Sequence, residues 1–191
     1  MRDDGKSEVE QLTWENCPDP ELLLDGIRVP LDVRKLRLYS AACCRRIDFL
    51  LSQSGIAAIE EAERFADGLC SPQDVRAKLL EMELGGSTPS HVYAAQAVHA
   101  ALYMPELDDL YLVGSGISLP FPFTPYAPSA FALPQDFAVI TSIRAVSALV
   151  ESLPDRDASR EQYIRNEYLA QATMLRDLLG GDMKAVWSSP L

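Results

Sequence analysis

Residues 34–50, RKLRLYSAACCRRIDFL, place their apolar side chains at the spacing of an α-helix. At 100° per residue, one stripe of apolar side chains lies within about 60° of the direction of Leu36. The members of this stripe are Leu36, Tyr39, Cys43, Ile47 and Leu50. Because Asp32 is a suitable N-cap residue, the sequence predicts an amphipathic helix from Asp32 to about Leu51.

Two adjacent thiols, Cys43 and Cys44, lie within this predicted helix beside Arg45 and Arg46. Cys43 falls near the centre of the apolar stripe, where a free cysteine behaves as a small buried hydrophobe. Cys44 points about 100° away, toward the margin of the stripe, so the two sulfurs diverge and do not readily bind one ion. A reactive Cys44 thiolate stays open as an alternative, because neighbouring guanidinium groups lower a thiol pKa while burial raises it.

Arg46 points between apolar neighbours on the helical wheel, so its guanidinium needs a carboxylate partner. The next predicted helix, IEEAERFADG, carries Glu63 and Asp67 four residues apart along the border of its apolar side. We predict that Arg46 forms a structural ion pair with Glu63 or Asp67 and holds the two helices as an antiparallel hairpin. The alternative is that Arg46 extends to solvent.

The rest of the chain is divided by start and stop signals of helices, and no segment alternates like a strand. Start signals stand at Asp19-Pro20, near Ser54, at Ser71-Pro72, Thr88-Pro89 and Asp136, and at Ser159 with Gln162 as a capping box. Stop signals stand at Gly26, Gly68, Gly85-Gly86, Pro105, Pro154 and Gly180-Gly181. The predicted fold class is all-α: an orthogonal or up-down helical bundle of about six helices with a long loop rich in proline and aromatic residues.

The domain organisation follows from composition along the chain. Residues 1–11 are expected to be a disordered lead, residues 12–181 a single helical domain, and residues 182–191 a tail with Trp187 as its large anchor. Residues 105–134 form a predicted irregular, proline-rich insertion, because proline at this density excludes a helix or a central strand. Its aromatic side chains are a candidate interaction loop: Phe121, Phe123, Tyr126 and Phe131. Alternatively, the segment packs over the chain's own helices.

The chain carries a formal net charge of −11, which works against nucleic-acid binding. A local basic cluster within residues 28–46 suggests nucleic acid or another acidic partner, and the overall charge ranks this hypothesis third. No apolar stretch approaches the roughly 20 residues that cross a bilayer, so no membrane contact is expected. The N-terminus, MRDDGKSEVEQ, does not resemble a targeting peptide, and the expected compartment is the cytoplasm, where the cysteines stay reduced.

The sequence lacks three motifs of common catalytic sites: a glycine-rich phosphate loop after a strand, a nucleophile elbow and a paired-histidine metal motif. His91 and His99 are eight residues apart and do not have ligand spacing. We therefore predict no catalytic residue, no metal and no cofactor. The leading hypothesis is a protein-interaction or scaffold module that binds another protein. The alternative is an enzyme or small-ligand-binding protein that uses a polar pocket of Arg46, Cys44 and Glu63. The sequence does not determine an oligomeric state.

Four segments resemble a family of bacterial proteins that has no assigned function. RKLRLYSAACCRRIDFLL is similar to the RKLRLFACACCRRIW-like helix of that family, and IEEAERFADGL is similar to its AERYADG-like helix. Trp14, Cys17 and Asp19-Pro20 echo the opening of the family, with one residue more between Trp14 and Cys17, and residues 174–187 are an altered version of its final segment. The resemblance implies a helical cytoplasmic protein and implies no activity.

Overall fold

The computed structural model describes residues 12–82, 88–102, 134–153 and 159–188, without the side chains of residues 134–137, 159 and 182. These residues form seven α-helices and two 3₁₀ helices, with an isolated β-bridge but no strand among them, which confirms the all-α prediction. The α-helices are α1 (Pro20–Asp25), α2 (Val33–Arg45), α3 (Gln53–Ala66), α4 (Pro72–Glu81), α5 (Pro89–Leu102), α6 (Pro134–Ser152) and α7 (Ser159–Leu179). The 3₁₀ helices are Asp48–Leu50 and Gly181–Ala185.

Local capping chemistry sets most helix starts. Asp19 and Asp32 each accept a hydrogen bond of 2.9 Å from the backbone N–H two residues later, at the starts of α1 and α2. Pro20 occupies the first position of α1, where its missing N–H is not needed. Ser71 and Asp74 form a reciprocal capping box at the start of α4. All of these caps except the reciprocal bond of Asp74 were predicted from the sequence.

Two glycines end helices in the left-handed region that favours this residue. Gly68 follows α3 with φ of 71°, and Gly180 follows α7 with φ of 83°. Both stops were predicted. The predicted end of α4 at Gly85-Gly86 is wrong, because the helix ends at Glu81 and Met82 follows it as a C-cap residue in an extended conformation. The predicted limit of α5 at residue 104 lies outside the described residues, as does the predicted insertion except for Pro134, which begins α6. The predicted capping box of Ser159 and Gln162 depends on the Ser159 side chain, which is not among the described side chains.

The predicted end of α2 at about Leu51 is wrong. The helix ends at Arg45 with Arg46 as its C-cap residue, and a 3₁₀ helix follows at Asp48–Leu50. A 3₁₀ turn has about three residues, so it brings positions i and i+3 to the same side. Ile47 and Leu50 therefore both stay in the core, although the α-helix has ended.

The core forms around α2 and an alanine-rich helix pair. Every member of the predicted α2 stripe is buried, and α2 packs against α3, α5, α6 and α7. The most extensive packing joins α5 and α6, whose facing sides are rich in buried alanine. Small side chains allow two helix backbones to approach closely, so this pair forms a dense layer beneath α2.

The C-terminal tail is anchored on α1. The Trp187 indole donates a hydrogen bond of 3.1 Å to the carbonyl of Leu23 and covers Gly26. Trp187 also forms an antiparallel bridge with Ile27, and the Ser188 N–H donates to the carbonyl of Gly26 at 3.0 Å. Trp187 thus anchors the tail, as predicted, by packing on Leu23 and Gly26 at the end of α1. Across the described helices, none has the length and apolar character to cross a bilayer.

Candidate functional site

Arg46 binds Glu167 of α7, so the prediction of Glu63 or Asp67 as its partner is wrong. Its Nε and Nη2 donate to the two carboxylate oxygens of Glu167, each at 2.7 Å. The Glu167 side chain is 5% exposed, whereas that of Arg46 is 39% exposed. The ion pair thus buries its carboxylate completely and leaves one side of the guanidinium in contact with water.

The predicted partners of Arg46 are bound by other arginines. The Glu63 carboxylate accepts hydrogen bonds from Nε and Nη2 of Arg45 at 3.0 and 2.8 Å. The Asp67 carboxylate accepts a hydrogen bond from Nη2 of Arg34 at 2.6 Å. Arg46 is the C-cap of α2 and keeps helical dihedral angles, with φ of −71° and ψ of −16°, so its side chain keeps its direction on the helical wheel. The wheel did not indicate which helix lies on that side of α2, and the structure places Glu167 of α7 there.

The same two ion pairs define how α2 meets α3. Arg34 and Arg45 are about 16 Å apart along α2, whereas their partners Glu63 and Asp67 are only about 6 Å apart along α3. The order of the pairs is that of the predicted antiparallel hairpin, because Arg34 near the start of α2 binds Asp67 at the end of α3, and Arg45 at the end of α2 binds the earlier Glu63. Arg34 and Arg45 thus take the role that was predicted for Arg46.

A buried polar network extends the Arg46 ion pair into the core. Gln171 donates from Nε2 to the Glu167 carboxylate at 3.0 Å, and Ser142 of α6 donates its hydroxyl to Oε1 of Gln171. Gln171 and Ser142 are fully buried. The chain of hydrogen bonds joins α2, α6 and α7, and satisfied networks of this kind hold a core in one arrangement.

The two adjacent thiols are both buried. Burial raises the pKa of Cys43 to about 12 and raises that of Cys44 well above its usual value, although Arg45 acts in the opposite direction on Cys44. The wheel places Cys44 at the margin of the apolar stripe, yet its thiol is fully buried, because several helices surround α2. The geometry gives no support to a reactive Cys44, and in the described residues no cluster of His, Cys, Asp and Glu has the arrangement of a metal site.

An open groove of about 300 Å³ lies where the segment before α1 meets the first half of α7. It is lined by Pro18, Asp19, Glu161, Ile164, Arg165 and Tyr168. The wall that precedes α1 is held by Arg176 of α7, whose Nε donates to the Trp14 carbonyl at 2.6 Å and whose Nη2 donates to the Cys17 carbonyl. The groove is therefore formed by the fold and is fixed on both sides.

The floor of the groove continues an apolar stripe of α7. At 100° per residue, Ile164, Tyr168, Ala172, Leu175 and Leu179 lie within about 80° of one another. The last three are buried under the other helices. Ile164 and Tyr168 are only half-buried, because the neighbouring helices do not cover the first turns of α7. The stripe is thus covered in its second half and opens into the groove in its first half.

Acidic groups gather at the end of the groove formed by α1. Burial raises the pKa of Tyr168, and the charges of Asp19 and Glu21 raise it further. The pKa of Glu21 is likewise raised, first by burial and then by Asp19 and Asp25. These carboxylates are therefore near enough to repel one another. The groove combines an apolar floor with a negative end.

This groove was not predicted from the sequence. The apolar pair Ile164 and Tyr168 was visible in the sequence of α7, but sequence alone does not indicate which half of a helix the fold leaves uncovered. The predicted interaction loop with Phe121, Phe123, Tyr126 and Phe131 lies outside the described residues. No family model, curated protein or solved structure matches this chain.

Proposed function

We propose that this chain is a protein-interaction or scaffold module and that the groove beside α7 is its contact surface. The observation that carries the proposal is the α7 stripe, which is buried from Ala172 onward but is only partly buried at Ile164 and Tyr168. A partner side chain placed there would continue the packing that the chain already makes along the rest of α7. The apolar surface that such a partner removes from water contributes about 25 cal/mol per Å².

The groove has features that favour binding of a protein segment. Tyrosine is among the residues that contribute most to interface energies, and Tyr168 presents a half-buried ring. Both walls are held by backbone and side-chain hydrogen bonds, so little conformational entropy would be lost when a partner binds. An amphipathic helix that lays its apolar face in a hydrophobic groove is a common mode of peptide recognition.

The alternative of a polar ligand pocket loses its main support. Arg46 binds Glu167, Glu63 binds Arg45, and Cys44 is enclosed, so the three residues do not converge on one site. No arrangement of the described residues favours an enzyme. The interaction loop within residues 105–134 stays a second predicted contact surface of the same module.

Selection of a random peptide library on the immobilised protein tests the proposed function. We expect enriched peptides that bind the native protein and lose binding to the variants Ile164→Ser and Tyr168→Ala. The matched control is Tyr163→Ala, because Tyr163 is an exposed tyrosine on α7 that does not line the groove. Thermal unfolding of each variant establishes that the fold is intact. Enriched peptides that bind all variants equally would contradict the groove as the contact surface.

A further inference from the structure

We infer that the groove accepts a cationic, amphipathic segment of another protein, with an apolar side chain on Ile164 and Tyr168 and Lys or Arg toward Asp19 and Glu161. This inference rests on the proposed function and adds the chemistry of the partner.

The charge around the groove selects a cationic partner. Asp19 and Glu161 line the groove, and Glu21 acts on the same Tyr168 ring as Asp19. Among the described residues, Arg165 offsets one of these three negative charges, so their sum is negative. A partner that brings Lys or Arg would form charge-complementary contacts, which increase association rate and specificity.

The crowding of the acids supports the same partner. The pKa of Glu21 is raised because burial and the neighbouring charges of Asp19 and Asp25 disfavour its ionised form. A cation bound at this end would relieve that repulsion.

The charge of the chain disfavours the other occupants. A second copy would bring a formal net charge of −11 to a negative groove. The N-terminal segment MRDDGKSEVEQ contains four acidic residues against two basic ones and only two large apolar residues, so it matches neither the floor nor the charge. A cationic segment of a different protein satisfies both features.

Binding of three fluorescein-labelled peptides, measured by fluorescence anisotropy, tests the inference. Each peptide has the same helical pattern of leucines, with lysine, glutamine or glutamate at the remaining positions. We expect the Leu/Lys peptide to bind about tenfold more tightly than the Leu/Gln peptide, and the Leu/Glu peptide to bind most weakly. Raising the ionic strength from about 0.02 M to about 0.15 M should weaken only the Leu/Lys peptide.

Charge variants separate the groove from the general charge of the protein. In the double variant Asp19→Asn/Glu161→Gln, asparagine preserves the cap of α1, and we expect affinity for the Leu/Lys peptide to fall about three- to tenfold. The matched control is Glu60→Gln/Glu81→Gln, which removes the same charge from α3 and α4, outside the groove. We expect this control to lower affinity less than about twofold.

The outcomes distinguish the inference from the proposed function. If Ile164→Ser weakens the Leu/Lys and Leu/Gln peptides equally and Asp19→Asn/Glu161→Gln has no effect, the cationic partner is wrong and the interaction groove stands. An equal loss in both double variants also overturns the inference, because the attraction would then come from the whole surface. If Ile164→Ser changes the binding of no peptide, the groove is not a contact surface and both proposals fail.

Discussion

Arg45 and Arg46 are neighbours in the chain, and each forms a bidentate ion pair with a glutamate. The two pairs differ in the burial of the carboxylate: Glu63 is 36% exposed, whereas Glu167 is 5% exposed. An exposed ion pair contributes little because water solvates both charges well when they are apart. Removing one partner of a buried pair leaves a desolvated charge and costs much more.

The variant Glu167→Ala should therefore lower the free energy of unfolding by about 2 kcal/mol, less than for a fully buried pair because Arg46 retains contact with water. The matched control Glu63→Ala should cost less than about 1 kcal/mol. Urea unfolding at neutral pH measures both values. Equal costs for the two variants would contradict the difference that burial makes.

The cysteine side chains give a second prediction at this scale. With its pKa raised to about 12, Cys43 is a thiolate in only about one molecule in 10,000 at pH 8. Iodoacetamide should therefore leave Cys43 and Cys44 unmodified in the native protein and modify both in urea, as read by mass spectrometry. Cys70 is only partly buried, but its pKa is raised to about 11, so it should react slowly. Rapid native labelling of Cys44 would restore the hypothesis of a reactive thiol.

At the scale of the elements, the C-terminal 3₁₀ helix and Trp187 close over α1 at Gly26. The φ of Gly26 is −73°, which any residue can adopt, so its backbone conformation does not require glycine. Glycine is required here by the close approach of the indole, because a Cβ atom at Gly26 would overlap the ring of Trp187. This contact is the point at which the last segment of the chain meets one of the first.

The variant Gly26→Ala should displace Trp187 and lower the free energy of unfolding by about 2 kcal/mol, as overpacking typically does. The control Gly181→Ala has open space around the added methyl group and should be nearly neutral. Tryptophan fluorescence reports the displacement, and urea unfolding reports the cost. In a Trp187→Ala background the cost of Gly26→Ala should largely disappear, and an unchanged cost would show that the clash lies elsewhere.

At the scale of the whole molecule, stability depends on pH through His99. Burial lowers the pKa of His99 from 6.5 to about 4. The unfolded chain therefore binds a proton at a pH where the folded chain does not, so this contribution to stability is present above pH 6.5 and is lost as the pH falls toward 4. The free energy of unfolding should fall by about 2 kcal/mol between pH 7 and pH 5 from this group alone.

Urea unfolding at the two pH values measures that fall. The variant His99→Gln should abolish most of it, whereas His91→Gln, at an exposed position, should leave it unchanged. A fall that persists in His99→Gln would assign the pH dependence to other groups, such as the paired carboxylates.

The local features of this fold were determined by the sequence itself. Asp19, Asp32 and Ser71 cap helices because their side chains reach N–H groups only two or three residues away. Gly68 ends a helix because it adopts a positive φ without steric cost, and the α2 stripe is buried because an α-helix repeats every 3.6 residues. Such rules operate within about one turn of chain and need no knowledge of the fold.

Only the tertiary structure decided which elements meet. Glu167 lies 121 residues from Arg46, and its position as the buried partner depends on how α7 packs beside α2. Likewise, Ile164 and Leu175 share one stripe of α7, but the other helices bury only Leu175 completely. The free energy gained by burying apolar surface is proportional to the buried area and does not depend on direction. A periodic pattern therefore identifies a helix face that must be covered without specifying which element covers it.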